Sequence, residues 1–166
     1  DNVSNIISNE FKGFGHKVYI IKPEYDKNGL PVAKSLVSCF NRITKLVHEK
    51  KALAIYTPTF GGVAEAVLKM ALGNEIGFRF DNGISMEEIF GYSYGSFIVE
   101  SAEDLNEKLL GETTKEFEIS YNNERLSLNE LFKTYENKLE SVFASYVKAE
   151  EKEIKKLGFE AKDYKL

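Results

Sequence analysis

Residues 52–77, ALAIYTPTFGGVAEAVLKMALGNEIG, constrain the fold more than any other part of this chain. An apolar run suited to a strand (52–56) passes through a short turn (57–60) and the pair Gly61-Gly62 into an amphipathic helix over 63–72. Such a turn gathers backbone N–H groups at the positive end of the helix dipole, a place suited to phosphate or another anion.

The flanks supply more of a layered domain. Residues 16–22 (HKVYIIK) are rich in β-branched and aromatic side chains and stop at Pro23, which predicts a first strand. Its apolar residues are nearly continuous, so both faces are expected to be covered. After a turn-rich loop (23–29), Pro31 suits the first turn of a helix. Leu36, Cys39, Phe40, Ile43, Leu46 and Val47 form its apolar stripe. Cys39 within that stripe reads as a small buried hydrophobe rather than a nucleophile. His48 ends this helix and His16 opens the strand; with no companion motif, neither indicates a metal site.

Beyond the central stretch, 76–80 reads as a short strand. Ser85-Met86-Glu87-Glu88 then reads as a capping box opening a short helix. GYSYG (91–95) is a bend and 96–100 another strand. Residues 102–110 are expected to form a short helix stopped by Gly111. Residues 117–120 and 124–126 fit a hairpin. A second capping box at Ser127-Glu130 predicts a helix from about Leu128, and helical spacing continues to Val147 as one helix or two. Residues 148–166 form a mixed-charge tract that reads as a solvated helix end and linker. Strands alternating with helices point to α/β or α+β layering.

Composition narrows the function classes. The chain has 166 residues, 43% of them hydrophobic, which fits one globular domain with a core, or such a domain and a tail. A net charge of -4 argues against a dedicated nucleic-acid binder. Cys39 is the only cysteine, so an internal disulfide and a cysteine-based zinc site are both excluded, and a reducing compartment is expected. With no long apolar run or signal pattern, a cytoplasmic location without membrane contact is expected. Residue 1 is Asp, and a piece cut from a longer chain is the favoured explanation. Neither GxGxxG nor GxxxxGK[ST] occurs.

The run from Tyr56 to Val63, YTPTFGGV, is followed by an Ala-rich helix and GNEIGF. It resembles the C-terminal domain of the aminoimidazole ribonucleotide synthetase-like superfamily, whose usual pattern is His-Asp-x-Ser-Asp-Gly-Gly-Leu. More closely, it resembles the second such domain of the phosphoribosylformylglycinamidine synthase family. KVYIIKPE (17–24), GYSYGSFIV (91–99) and residues 128–143 also fit, so the likeness covers 11–147, with 1–10 as a lead-in and 148–166 as a tail or linker toward a glutaminase domain.

The resemblance implies a layered α/β/α domain with a mixed sheet, α/β (α+β) in class. It also implies a part in the ATP- and glutamine-dependent conversion of formylglycinamide ribonucleotide to formylglycinamidine ribonucleotide in purine synthesis. The implied partners are the N-terminal synthetase domains and the glutaminase domain of the same polypeptide. ATP and Mg²⁺ would serve the parent enzyme, and this domain alone would require neither.

Carried over by position, the family's Mg²⁺-binding Asp falls on Thr57 and its nucleotide-contacting Ser on Thr59. The Asp before the glycines falls on Phe60. Two carboxylates are thereby replaced, and hard divalent cations need such oxygens, so no metal ligands are assigned. Thr57, Thr59, Gly61 and Gly62 are the candidate nucleotide- or phosphate-binding residues, with Thr59 able to cap the helix or touch a phosphate. Glu65 in the first helical turn would oppose a bound anion, and Lys69 could offset it as an i,i+4 partner. No catalytic residue is assigned, and the isolated domain is expected to be inactive. Two other readings are a domain of a selenophosphate synthetase or thiamine phosphate kinase, and a stand-alone nucleotide-binding or scaffold module.

Overall fold

A computed structural model describes residues 2–145. The charged tract 148–166, together with Tyr146 and Val147, lies outside the described residues. Seven strands form one sheet in the order β2-β4-β1-β5-β3-β6-β7. They are β1 (Lys17–Ile21), β2 (Ala54–Tyr56), β3 (Gly77–Phe80), β4 (Phe97–Ser101), β5 (Lys108–Thr114), β6 (Glu118–Tyr121) and β7 (Glu124–Ser127). All neighbours are antiparallel except β3 and β6, so the sheet is mixed.

The four helices are α1 (Ala33–His48), α2 (Gly62–Leu72), α3 (Met86–Phe90) and α4 (Leu128–Asn137). Alternation along β1 explains the layering. Val18 and Ile20 join the core beneath α2 and α4, with Val67, Met70 and Leu128. Tyr19 and Ile21 join the core beneath α1, with Cys39 and Leu46. Both faces of β1 are therefore covered, as its near-continuous apolar sequence predicts. The result is an α/β/α sandwich of α+β class.

Four local expectations are corrected. Residues 102–110 do not form a helix: the chain turns through Asn106, at φ 53°, and enters the seven-residue strand β5. Gly111 is no helix stop. It sits in mid-strand, where an added Cβ would lie 2.1 Å from the Arg79 carbonyl oxygen of β3, so the close approach of these two strands requires a glycine. Pro31 lies before the helix, because it bridges to Tyr25 while Val32 serves as the N-cap.

Phe40, expected in the apolar stripe of α1, is 47% exposed and meets Phe97 edge-on at 5.7 Å. Ser127 supplies no side-chain cap to α4, since it closes the β7 ladder opposite Glu118 and the Leu128 amide bonds the Phe117 carbonyl instead. The Ser85–Glu88 capping box does form in full. The helical spacing after Leu128 is realised only as far as Asn137 among the described residues.

Glu100, on β4 beside the edge strand β2, is fully buried. Its carboxylate accepts from the Lys12 amide at 2.8 Å, the Gly13 amide at 3.2 Å and His16 Nδ1 at 2.7 Å. A buried charge is tolerated only when its oxygens are satisfied in this way. These bonds fasten residues 11–16 across the sheet, next to Phe11, which stacks on Phe78 at 5.7 Å. Glu100→Ala removes the acceptor for all three donors and is expected to cost about 3 kcal/mol of unfolding free energy. Urea denaturation checks this, and a loss below about 1 kcal/mol would contradict it.

Candidate functional site

Three loops gather at one end of the sheet. β1 ends opposite the start of β4 (Ile21 with Phe97), and β2 ends beside the same strand (Tyr56 with Ile98). The loops after β1 and β2 therefore emerge next to the loop before β4. Tyr25 Oη donates to the Tyr94 carbonyl at 2.9 Å, which links the first and third loops. Gly62 and Gly91 join the second and third.

Gly62 has φ +66°, and a Cβ there would lie 2.7 Å from the Gly91 carbonyl oxygen and 3.2 Å from that of Ile89. The position is closed to a side chain by backbone conformation and by packing alike. Gly61 has an ordinary φ, but a Cβ would lie 2.7 Å from Glu65 Oε2. Its missing side chain leaves the room into which the Glu65 carboxylate folds back.

That carboxylate decides the electrostatics of the loop. Glu65 Oε2 accepts from the Gly61 amide at 2.7 Å and from Thr59 Oγ1 at 2.8 Å, while Oε1 pairs with Lys69 one turn along α2. The Lys69 ammonium, the Thr59 hydroxyl and the Gly61 amide together hold the Glu65 carboxyl down at about 2, against an ordinary 4.5. Lys69 is pushed up, chiefly by its bond to Glu65. A depressed folded-state value makes the charged form the one that stabilises the fold. The contribution is complete above about pH 4.5 and disappears as pH falls toward about 2.

The structure brings together three of the four sequence-predicted residues, Thr59, Gly61 and Gly62, at the start of α2. Thr57 sits exposed before Pro58, at the end of β2. Thr59 does not cap the helix. The N-cap is Gly61, which has no side-chain cap, and the Thr59 hydroxyl donates to Glu65. Glu65 itself was legible as an i,i+4 partner of Lys69, but its reach back to Gly61 was not.

The loop does not fit a divalent cation. Phe60 stands 82% exposed where the resembling pattern has an acid, Thr57 replaces another, and Glu65 is committed to three donors. Among the described residues no group of three or more His, Cys, Asp or Glu could hold a metal ion. The buried Ser93 Oγ has no hydrogen-bond partner among the described residues. It lies in the third loop, two residues from Gly91, and nothing in the sequence marked it. Alongside the N-terminal end of α2 runs a mainly apolar groove of about 830 Å³, lined in part by Gly61 and Glu65.

No protein-family model and no curated protein matches the chain. Solved structures do. Phosphoribosylformylglycinamidine synthase II of Thermotoga maritima superposes with a TM-score of 0.61 at 12% identity, covering 75% of this chain and 27% of that one. The T. maritima PurL complexed with ATP gives 0.60 at 12%, covering 78% and 27%. A HypE-HypF complex gives 0.51 at 15%, covering 67% and 50%. The chain thus spans about a quarter of the length of the PurL structures. At these identities the likeness concerns the fold, which is the aminoimidazole ribonucleotide synthetase-like fold. Among the described residues no helix is long and apolar enough to cross a membrane.

Two substitutions test the packing of these loops. Gly62→Ala is expected to destabilise the domain by at least about 2 kcal/mol, since it adds backbone strain to a clash with fixed carbonyls. Ser93→Ala is expected to leave stability unchanged or raise it by up to about 1 kcal/mol, because it removes an unsatisfied buried hydroxyl. Chemical denaturation of the two variants checks both signs.

Proposed function

We propose that this chain is a non-catalytic domain of an ATP-dependent synthetase of the phosphoribosylformylglycinamidine synthase kind, contributing one wall of a nucleotide pocket that other domains complete. The observation that carries the reading is the fold shared with PurL, combined with a glycine turn that presents Thr59, Gly61 and Gly62 at a helix N-terminus. The T. maritima PurL has been solved with ATP, with ADP and with FGAR. In this reading the parent would convert formylglycinamide ribonucleotide to formylglycinamidine ribonucleotide with ATP and glutamine. Its N-terminal synthetase domains and a glutaminase domain would be the partners.

Thr59, Gly61 and Gly62 would meet a phosphate only after Glu65 swings aside, and exposed Thr57 would stand at the edge of the site. Magnesium ligands would come from the other domains, because this loop's one carboxylate is already satisfied. The wild-type turn is therefore a closed cradle in the isolated chain, and its opening is a property of the assembled enzyme.

The test compares nucleotide response before and after removal of the plug. With millimolar ADP, the wild-type melting temperature is expected to stay unchanged, while Glu65→Gln rises by about 2 °C or more as the cradle gains an anion. An equal response from both proteins would refute the plug. Neither protein should turn over formylglycinamide ribonucleotide with ATP and ammonia, and product formation by the isolated chain would overturn its non-catalytic role. The parent gene should encode a glutaminase downstream of Leu166.

A further inference from the structure

The third loop, 91–95, carries two tyrosines in a setting unlike that of the other aromatic side chains. Burial alternates along it: Ser93 is 1% exposed and lies between Tyr92 at 68% and Tyr94 at 42%. In an extended segment alternate residues share a face, and here the two rings meet on the outside at 5.6 Å with a tilt of 32°. Of the ring pairs among the described residues, this is the one in which both members are exposed. The backbone beneath them is fixed at both ends. The Gly91 amide bonds the Glu87 carbonyl at 2.7 Å, the Tyr94 carbonyl accepts from Tyr25 Oη, and Gly95 at φ +80° packs where a Cβ would lie 2.8 Å from Leu36 Cδ1. A flat apolar surface held in this way binds with little ordering cost. Its position is equally specific. Gly91, whose carbonyl oxygen packs against Gly62, comes one residue before Tyr92, and Phe60, 82% exposed, comes one residue before Gly61. Exposed aromatic residues thus flank the glycine turn, with its amide and hydroxyl donors, along the chain and across the loop contact. Neither tyrosine lines the groove beside α2.

We propose that Tyr92 and Tyr94 form a stacking platform for the heteroaromatic base of a nucleotide whose phosphate end lies at the Gly61-Gly62 turn. The assignment rests on the nucleotide-pocket reading above and narrows its ligand to a nucleotide that carries a base. Aromatic side chains bind bases face to face, and every base offers such a face. Flat rings alone would suit many apolar partners, whereas flat rings next to anion donors suit a base joined to a phosphate. A ribose phosphate without an aromatic base, such as formylglycinamide ribonucleotide, would use the donors and leave the tyrosines bare. Side chains of another domain would cover the rings and leave the donors to Glu65. The platform acts on the base and Glu65 on the phosphate end, so the two can be tested apart.

Adenosine, which has a base and no phosphate, probes the platform alone, and ribose 5-phosphate is the matched control without a base. Proton NMR of the 166-residue chain with labelled tyrosines, assigned through Tyr92→Phe and Tyr94→Phe, follows both titrations. Millimolar adenosine is expected to move the Tyr92 and Tyr94 ring signals upfield, and ribose 5-phosphate to leave them in place. Tyr92→Leu keeps apolar bulk without a flat face. It is expected to weaken adenosine binding at least about fivefold, while Tyr92→Phe keeps the affinity within about twofold. Both tyrosine side chains are exposed, so the variants should fold, and thermal melts followed by circular dichroism verify it. Ring signals that stay still with adenosine, or an affinity unchanged in Tyr92→Leu, would overturn the platform and leave the tyrosines to contact with another domain. The ADP response of Glu65→Gln judges the phosphate end separately. That response without an adenosine shift refutes the platform alone, whereas an adenosine shift without that response supports the platform and refutes the cradle.

Discussion

The carboxylate of Glu65 accepts hydrogen bonds from the Gly61 amide and the Thr59 hydroxyl at one oxygen and from Lys69 at the other, so the positive end of α2 is neutralised from within the helix. A helix N-terminus after a glycine pair offers unpaired donors, and something with negative charge will satisfy them. Here the occupant is a side chain four residues along the helix. This one arrangement explains why Gly61 must be small, why the Thr59 hydroxyl is spent and why Lys69 lies where it does. It also leaves the donors of the turn occupied by a side chain of the same helix.

The rest of the sandwich holds that turn in place from outside. β2 is a short edge strand, and the turn that follows it gains rigidity from the contact of Gly62 with the end of α3. α3 is fixed by its own capping box and by the core position of Ile89. On the other side, Glu100 fastens residues 11–16 to β4. Two carboxylates thus do comparable structural work in different settings. The buried one costs desolvation that its donors must offset, while the partly exposed one gains from the helix dipole and its ion pair with Lys69.

Much of this was legible in the sequence where the determinants are local. The near-continuous apolar run of β1, the stripe of α1, the Ser85–Glu88 box and the strand-turn-helix around Gly61-Gly62 each depend on neighbours within a few residues. The Glu65–Lys69 pair was readable for the same reason. The errors fall where distant contacts decide. Residues 102–110 carry leucines at spacings a helix could use, but pairing of β5 with both β1 and β3 overrides that weak preference, and Gly111 answers to Arg79 on another strand. Ser127 was a plausible cap until the β6–β7 ladder claimed its backbone. His16 gave no signal because its partner, Glu100, is 84 residues away. At the site, the glycines were found by pattern, whereas the closure of the loop by Glu65 follows from a side-chain path that spacing alone does not specify.

The central claim is that the Glu65 carboxylate sits in the amide and hydroxyl donors of the turn. Carbon-13 NMR titration of the glutamate carboxyl signals, with Glu65 assigned through the loss of one signal in Glu65→Gln, measures this directly. The account predicts a Glu65 midpoint at about 2, well below the ordinary 4.5. A midpoint at the ordinary value would contradict it, because the carboxylate would then lie free in solvent and the turn would stand open.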